Sequence, residues 1–134
     1  KNITNLIYKL LGTIKEKNIT ILGLSFKENT DDIRESISIK LIKLLLTKGA
    51  SITVYDPKAI DNTKKIFNNK IKYANTINDS LKNSYCAIIM TAWKQFRKLN
   101  TKNFKNMKRK LIIDTRRILE KNSNVEYYAF GIGQ

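Results

Sequence analysis

The sequence contains no histidine, one cysteine, one proline and five glycines in 134 residues. With no histidine and Cys86 as the sole thiol, this chain cannot build a Cys/His zinc site, a Ser-His-Asp triad or an internal disulfide. No stretch approaches the ~18–20 apolar residues of a membrane span, and no signal-peptide pattern is present. Acidic residues are also scarce, 11 against 26 Lys and Arg, for a formal charge of +15. What is present is 42% hydrophobic and 28% charged, which argues against disorder and for one domain able to bury a core. The expectation is a soluble, cytoplasmic globular domain. Because the first residue is Lys and not Met, it reads as part of a longer protein.

The positive charge does not by itself indicate a nucleic-acid surface. Of the 26 basic residues 21 are Lys and 5 are Arg, and they are spread along the chain. The densest stretch, Lys102 to Lys110, holds four Lys and Arg109. Nucleic-acid surfaces favour Arg interleaved with aromatics. Lys, Ile and Asn, all abundant here, share AT-rich codons.

Ile3, Leu6, Ile7, Leu10, Leu11 and Ile14 have the spacing of an amphipathic helix over 3–16. Residues 19–26 form a short apolar run, expected to be a buried strand. Asp32 and Glu35 have capping-box spacing and predict a helix from Ile33 to Lys48, with Ile37, Leu41, Leu44 and Leu45 on one face and Gly49 at its end. Strands are expected at 51–55, 71–74, 85–91, 110–114 and 125–132. Helices are expected at 58–68 and 76–82, with a polar loop carrying helical turns at 93–108. Alternating strands and helices, with several strands apolar throughout, predict an α/β fold. It is a Rossmann-like three-layer sandwich with a mainly parallel sheet of about six strands. Ligands of such sheets sit beyond the carboxyl ends of the strands. That singles out Lys27 to Arg34, Asp56, Thr91 to Trp93 and Thr115 to Arg117.

The first strand has no Gly-x-Gly-x-x-Gly turn; Gly23 stands alone. It runs instead into Phe26-Lys27-Glu28-Asn29-Thr30-Asp31-Asp32-Ile33-Arg34-Glu35-Ser36. A lysine at a strand end can hold a phosphate or sugar oxygen as a point charge, and an aromatic can cover a base or sugar face. Cys86 lies within an apolar strand and is expected to be an inert, structural thiol.

Leu22-Gly23-Leu24-Ser25-Phe26-Lys27 followed by Thr30-Asp31-Asp32-Ile33-Arg34-Glu35-Ser36 resembles the carboxy-terminal nucleotide-sugar-binding domain of the UDP-glucose/GDP-mannose dehydrogenases. The resemblance continues through Gly49-Ala50, Val54-Tyr55-Asp56-Pro57, Thr91-Ala92-Trp93 with Phe96, Ile113 to Leu119, and Gly131-Ile132-Gly133. It implies a UDP-sugar substrate and the cofactor NAD, bound mainly by an amino-terminal domain. It also implies a catalytic cysteine in a middle region and a homodimer or higher homo-oligomer. Residues 1–18 would be a lead-in helix from the middle region and 19–134 the nucleotide-sugar-binding domain.

The same resemblance assigns Phe26, Lys27 and Arg116 to the substrate and Arg34 to NAD held by the amino-terminal domain. For Arg34, pairing with Asp31, Asp32 or Glu35 at a helix start is the competing expectation. Trp93 is expected in the core or cleft wall. Thr115 stands where a glycine is common in the family, and Ala92 where a glutamate is frequent. The Thr91-Ala92-Trp93 block with Phe96 favours UDP-glucose. UDP-N-acetylhexosamine, GDP-mannose or a basic nucleic-acid-binding role are the alternatives. The fragment alone is expected to be inactive.

Overall fold

Alternate residues of the central strands enter different cores, which is why those strands read as unbroken apolar runs. The computed structural model describes residues 2–121 and 124–131. The strands are β1 (Asn18–Leu22), β2 (Ser51–Tyr55), β3 (Lys72–Tyr73), β4 (Cys86–Ile89), β5 (Leu111–Asp114) and β6 (Glu126–Ala129). The α-helices are α1 (Ile3–Leu11), α2 (Ile37–Thr47), α3 (Ile60–Phe67), α4 (Ile77–Leu81), α5 (Lys94–Arg97) and α6 (Thr101–Phe104), with a 3-10 turn at Asn68–Lys70. Ile19, Ile21, Cys86, Ile88, Leu111 and Ile113 face a core shared with Ile7 of α1, Ile42 and Leu45 of α2 and Phe67 of α3. Leu22, Ala87, Ile89 and Ile112 face a second core with Leu81, Phe96, Phe104 and Met107. The result is the expected three-layer α/β sandwich.

The sheet order is β3-β2-β1-β4-β5-β6. All five pairings are parallel, so the sheet is wholly rather than mainly parallel among the described residues. The chain moves outward from β1 through β2 to β3, then crosses back to β4 on the other side of β1. Neighbouring strands β1 and β4 therefore flank the topological switch point. Register aligns their ends: Leu22 lies opposite Tyr55 and Ile89, and Ile89 opposite Asp114. The loops after β1, β2, β4 and β5 thus leave one edge from one row.

Three local expectations are corrected. The first strand ends at Leu22 rather than Phe26, because Gly23 turns the chain at φ +103°. The long helix starts at Ile37 rather than Ile33. Glu35 lies at φ +62°, outside helical space, and Ser36 is the N-cap, accepting from the Ile39 N–H at 3.3 Å. Asp32 turns instead to Arg34, so the capping box does not form. On α2 the inward stripe is Ser38, Ile39, Leu41, Ile42 and Leu45, while Ile37 and Leu44 face out. Ile37 and Leu44 stand beside Lys40 and Lys43 on the outer face of the helix, so apolar periodicity alone left its phase open. Ser36 and Ser38 set it by donating to the carbonyls of Leu24 and Gly23, both at 2.7 Å.

The 3–16 pattern forms helix only to Leu11, ending at Gly12, yet Ile14 remains buried in the same core. Arg109 fastens the end of this helix, donating to the Leu10 carbonyl at 2.6 Å while Glu126 grips its guanidinium at 2.7 and 2.8 Å. The other elements stand within two or three residues of expectation. Ile132 and Gly133, which belong to the expected last strand and closing motif, lie outside the described residues, as do Lys1 and Gln134.

Cys86 is fully buried in β4, and burial pushes its thiol from 9.0 up to about 12. A thiol reagent at pH 8 should leave the folded chain unlabelled and titrate one thiol after denaturation in urea. The sign of the pH effect follows. The folded state resists thiolate formation, so this contribution to stability is complete below 9.0 and is lost as pH rises from there to about 12. Urea midpoints of the wild type should fall across that window more steeply than those of Cys86→Ala.

Candidate functional site

The turn after β1 is held by almost every backbone polar group it has. Gly23 N–H donates to the Tyr55 carbonyl at 2.9 Å, and Phe26 N–H to the Asp32 carbonyl at 2.6 Å. The N–H groups of Leu24 and Ser25 donate to Asp56 Oδ2 at 2.7 and 3.1 Å. The carbonyls of Gly23, Leu24 and Ser25 accept from Ser38, Ser36 and Thr91. This ordered turn presents Phe26, 52% exposed, and Lys27, also exposed, to solvent.

Trp93, after β4, is buried and donates its indole N–H to Asp56 Oδ2 at 3.2 Å, so the core placement expected of it holds. Phe96 beneath it is fully buried, with Tyr55 against it edge-on at 6.3 Å between ring centres.

The turn after β5 has a similar construction. Asp114, fully buried, accepts from the N–H groups of Arg116 at 3.0 Å and of Ile118 and Leu119 at 2.9 Å. The Tyr127 phenol also donates to it at 2.8 Å. Burial, with this hydrogen bond second, raises the Tyr127 phenol well above its ordinary range. Thr115 ties the turn to β4 by donating its hydroxyl to the Ile89 carbonyl at 2.6 Å. That bond gives the Thr115 hydroxyl a structural use of its own. Arg116 and Arg117 emerge exposed, Arg117 at φ +56°. Among the described residues neither Lys27 nor Arg116 has an ion-pair partner.

Phe26, Lys27 and Arg116 are therefore brought to one edge, on loops that leave the β1-β4-β5 part of the sheet. Arg34 stands apart. Its guanidinium meets Asp32 at 3.0 and 2.9 Å, the local pairing expected as the alternative for it. That contact lowers the Asp32 carboxyl and raises the guanidinium. Arg34 lines an open groove of about 650 Å³ with Thr30, Asp32, Asn62, Lys65 and Ile66, where the loop leans on α3. Asn62 secures that contact by donating to the Asp31 carbonyl at 2.9 Å.

A dinucleotide pyrophosphate needs free N–H groups at the first strand-helix turn. Here those of Gly23, Leu24, Ser25 and Phe26 are all engaged internally, two of them by a carboxylate. The turn does not fit a dinucleotide cradle. Among the described residues no three His, Cys, Asp or Glu side chains are grouped to hold a metal ion, and no helix is long and apolar enough to cross a membrane.

Sequence reasoning placed Asp56 and Asp114 at strand ends but did not identify them as the acceptors that organise the two turns. The available signal was a carboxylate directly after an apolar strand. A buried carboxylate must be matched by donors, and the nearest are the N–H groups of adjacent turns.

Residues 20–121 match the UDP-glucose/GDP-mannose dehydrogenase family, UDP binding domain. The chain is 37% identical over 137 residues to a UDP-glucose 6-dehydrogenase of Rickettsia conorii, covering 97% of this chain and 32% of that protein. It is 40% identical over 111 residues to a UDP-glucose 6-dehydrogenase of Haloferax volcanii, covering 83% of this chain and 25% of that one. Among solved structures, it is similar to a UDP-glucose dehydrogenase from Pyrobaculum islandicum, with TM-score 0.79 and 30% identity over 95% of this chain and 27% of that one. The chain thus spans between a quarter and a third of the length of the relatives it matches.

Proposed function

Because the chain belongs to the UDP-glucose/GDP-mannose dehydrogenase family, matching its UDP binding domain over most of its length, we propose that it binds a UDP-sugar along the carboxyl edge of its sheet. The observation that supports the reading is that the loops carrying Phe26, Lys27 and Arg116 leave the same edge of the sheet, and that Lys27 and Arg116 are exposed cations without ion-pair partners among the described residues. Lys27 supplies a compact charge for a phosphate or sugar oxygen. Arg116 supplies a planar fork suited to bidentate contacts. Phe26 offers a ring face to a sugar or base.

The whole protein is proposed to oxidise UDP-glucose at C6 to UDP-glucuronate. Taking an alcohol to a carboxylate removes four electrons and consumes one water, so two NAD+ each accept one hydride. The β1 turn gives a dinucleotide no cradle, so NAD is assigned to a part of the protein outside this chain, with Arg34 as the contact from this side. To serve it, Arg34 would exchange its exposed Asp32 partner for the cofactor. Such an exchange costs little, because solvent screens an exposed ion pair.

Titration calorimetry with UDP, UDP-glucose, GDP and a short DNA duplex at two salt concentrations tests the reading. UDP should bind in preference to GDP, with modest salt dependence. Binding of DNA alone, collapsing steeply with salt, would replace the reading with a nucleic-acid role. The isolated chain should reduce no NAD+ with UDP-glucose.

A further inference from the structure

We propose that Asp56 is a positioning residue for the UDP-sugar edge, holding the Lys27 turn and the Trp93 loop together from beneath; the proposal rests on the binding reading given above. Asp56 is 2% exposed and has no cationic partner among the described residues. Its charge is balanced by neutral donors drawn from three loops. Oδ1 accepts from the N–H groups of Lys58 and Ala59, both at 2.8 Å, and this satisfies the chain just ahead of α3. An asparagine or serine can do that much without burying a charge. The other oxygen does something different. Oδ2 gathers Leu24 N–H at 2.7 Å, Ser25 N–H at 3.1 Å and Trp93 Nε1–H at 3.2 Å, with the Ser25 hydroxyl more loosely at 3.4 Å. Three N–H donors converging on one oxygen call for an anion, and they come from the two loops that flank the switch point.

The link from Asp56 to the ligand-facing residue is short. Ser25, whose N–H is held by Asp56, donates its hydroxyl to the Lys27 carbonyl at 2.8 Å. Thr91, two residues before Trp93, donates to the Ser25 carbonyl at 3.2 Å. The Lys27 backbone is therefore set by a chain of bonds that ends on Asp56. Asp56 lies beneath the turn and would act on the ligand only through Lys27. Preorganisation of this kind lowers the ordering cost of binding.

The test is a double-mutant cycle with Asp56→Asn and Lys27→Ala, read by UDP titration of the chain. It is accompanied by amide hydrogen exchange over residues 24–32 and over β1, β4 and β5. Asn offers one acceptor oxygen in place of two and turns an NH2 toward existing donors. UDP affinity should fall about tenfold in Asp56→Asn. Exchange should accelerate in the turn while the strands keep their protection. Adding Lys27→Ala to Asp56→Asn should cost much less than it does in the wild type, because both act through one group.

Ser25→Ala serves if Asp56→Asn does not fold. It removes the hydroxyl that bonds the Lys27 carbonyl and reaches Asp56 Oδ2 at 3.4 Å, leaves the Ser25 N–H bond to Asp56 in place, and should weaken UDP binding about threefold with little change in melting temperature. Wild-type affinity in either variant, or full additivity with Lys27→Ala, overturns the proposal. Failure of the wild type to bind UDP would count against the binding reading alone. The exchange data then decide the positioning role: a turn as protected in Asp56→Asn as in the wild type overturns it, and a loosened turn on an intact sheet supports it.

Discussion

Gly23→Ala is expected to destabilise the chain by about 2–6 kcal/mol, a large share of the stability of a domain this size. Two effects add. Gly23 lies at φ +103°, a conformation that side chains other than hydrogen strain to adopt. A Cβ there would also sit 2.5 Å from Thr91 Oγ1, 2.6 Å from Thr91 Cβ and 2.7 Å from its backbone nitrogen. The hydroxyl could rotate away, but the backbone could not. It continues directly from Met90, whose N–H donates to the Leu22 carbonyl at 2.8 Å across the β1–β4 seam. Relief would therefore have to open the switch point itself. Gly12→Ala is the control. Gly12 also has positive φ, +79°, but nothing lies within 4 Å of its added Cβ, so only the conformational cost of about 1–2 kcal/mol applies. Urea denaturation of the two variants should separate them clearly. Equal losses would show that the close approach of β1 and β4 is not as described.

Arg116→Ala is expected to weaken UDP binding about 10- to 100-fold while leaving the urea midpoint nearly unchanged. The stability half follows from exposure: the guanidinium has no ion pair among the described residues, and its backbone N–H, held by Asp114 at 3.0 Å, remains in the variant. The affinity half follows from the loss of charge-assisted, bidentate hydrogen bonds to an anionic ligand. Arg116→Lys should recover only part of the loss, since lysine restores the charge but not the fork. Unchanged calorimetric affinity in Arg116→Ala would remove Arg116 from the site.

The positions of the strands along the chain were legible in the sequence, and the turns between them were not. β1, β4 and β5 could be read as buried strands because their residues are apolar on both faces, a pattern that only a sheet covered on both sides produces. The start of α2 could not be read the same way. Asp32 and Glu35 have capping spacing, but Asp32 is claimed by the Arg34 guanidinium and Ser36 takes the cap, four residues further along the chain. Side-chain competition of that kind leaves no trace in periodicity. The site residues Phe26, Lys27 and Arg116 could be placed at strand ends from the apolar runs before them. The buried acceptor under the first turn, Asp56, depends on contacts 31 to 37 residues away, with Leu24, Ser25 and Trp93. No local pattern encodes those contacts.

The most direct test of the central claim is an amide NMR titration of the chain with UDP, mapping which residues respond. The account predicts saturable shifts at Phe26 and Lys27, at Thr91 to Trp93 and at Thr115 to Arg117, with the groove around Asn62 and Lys65 unaffected. Shifts confined to that groove, scattered over the lysines, or absent at saturating UDP would contradict it.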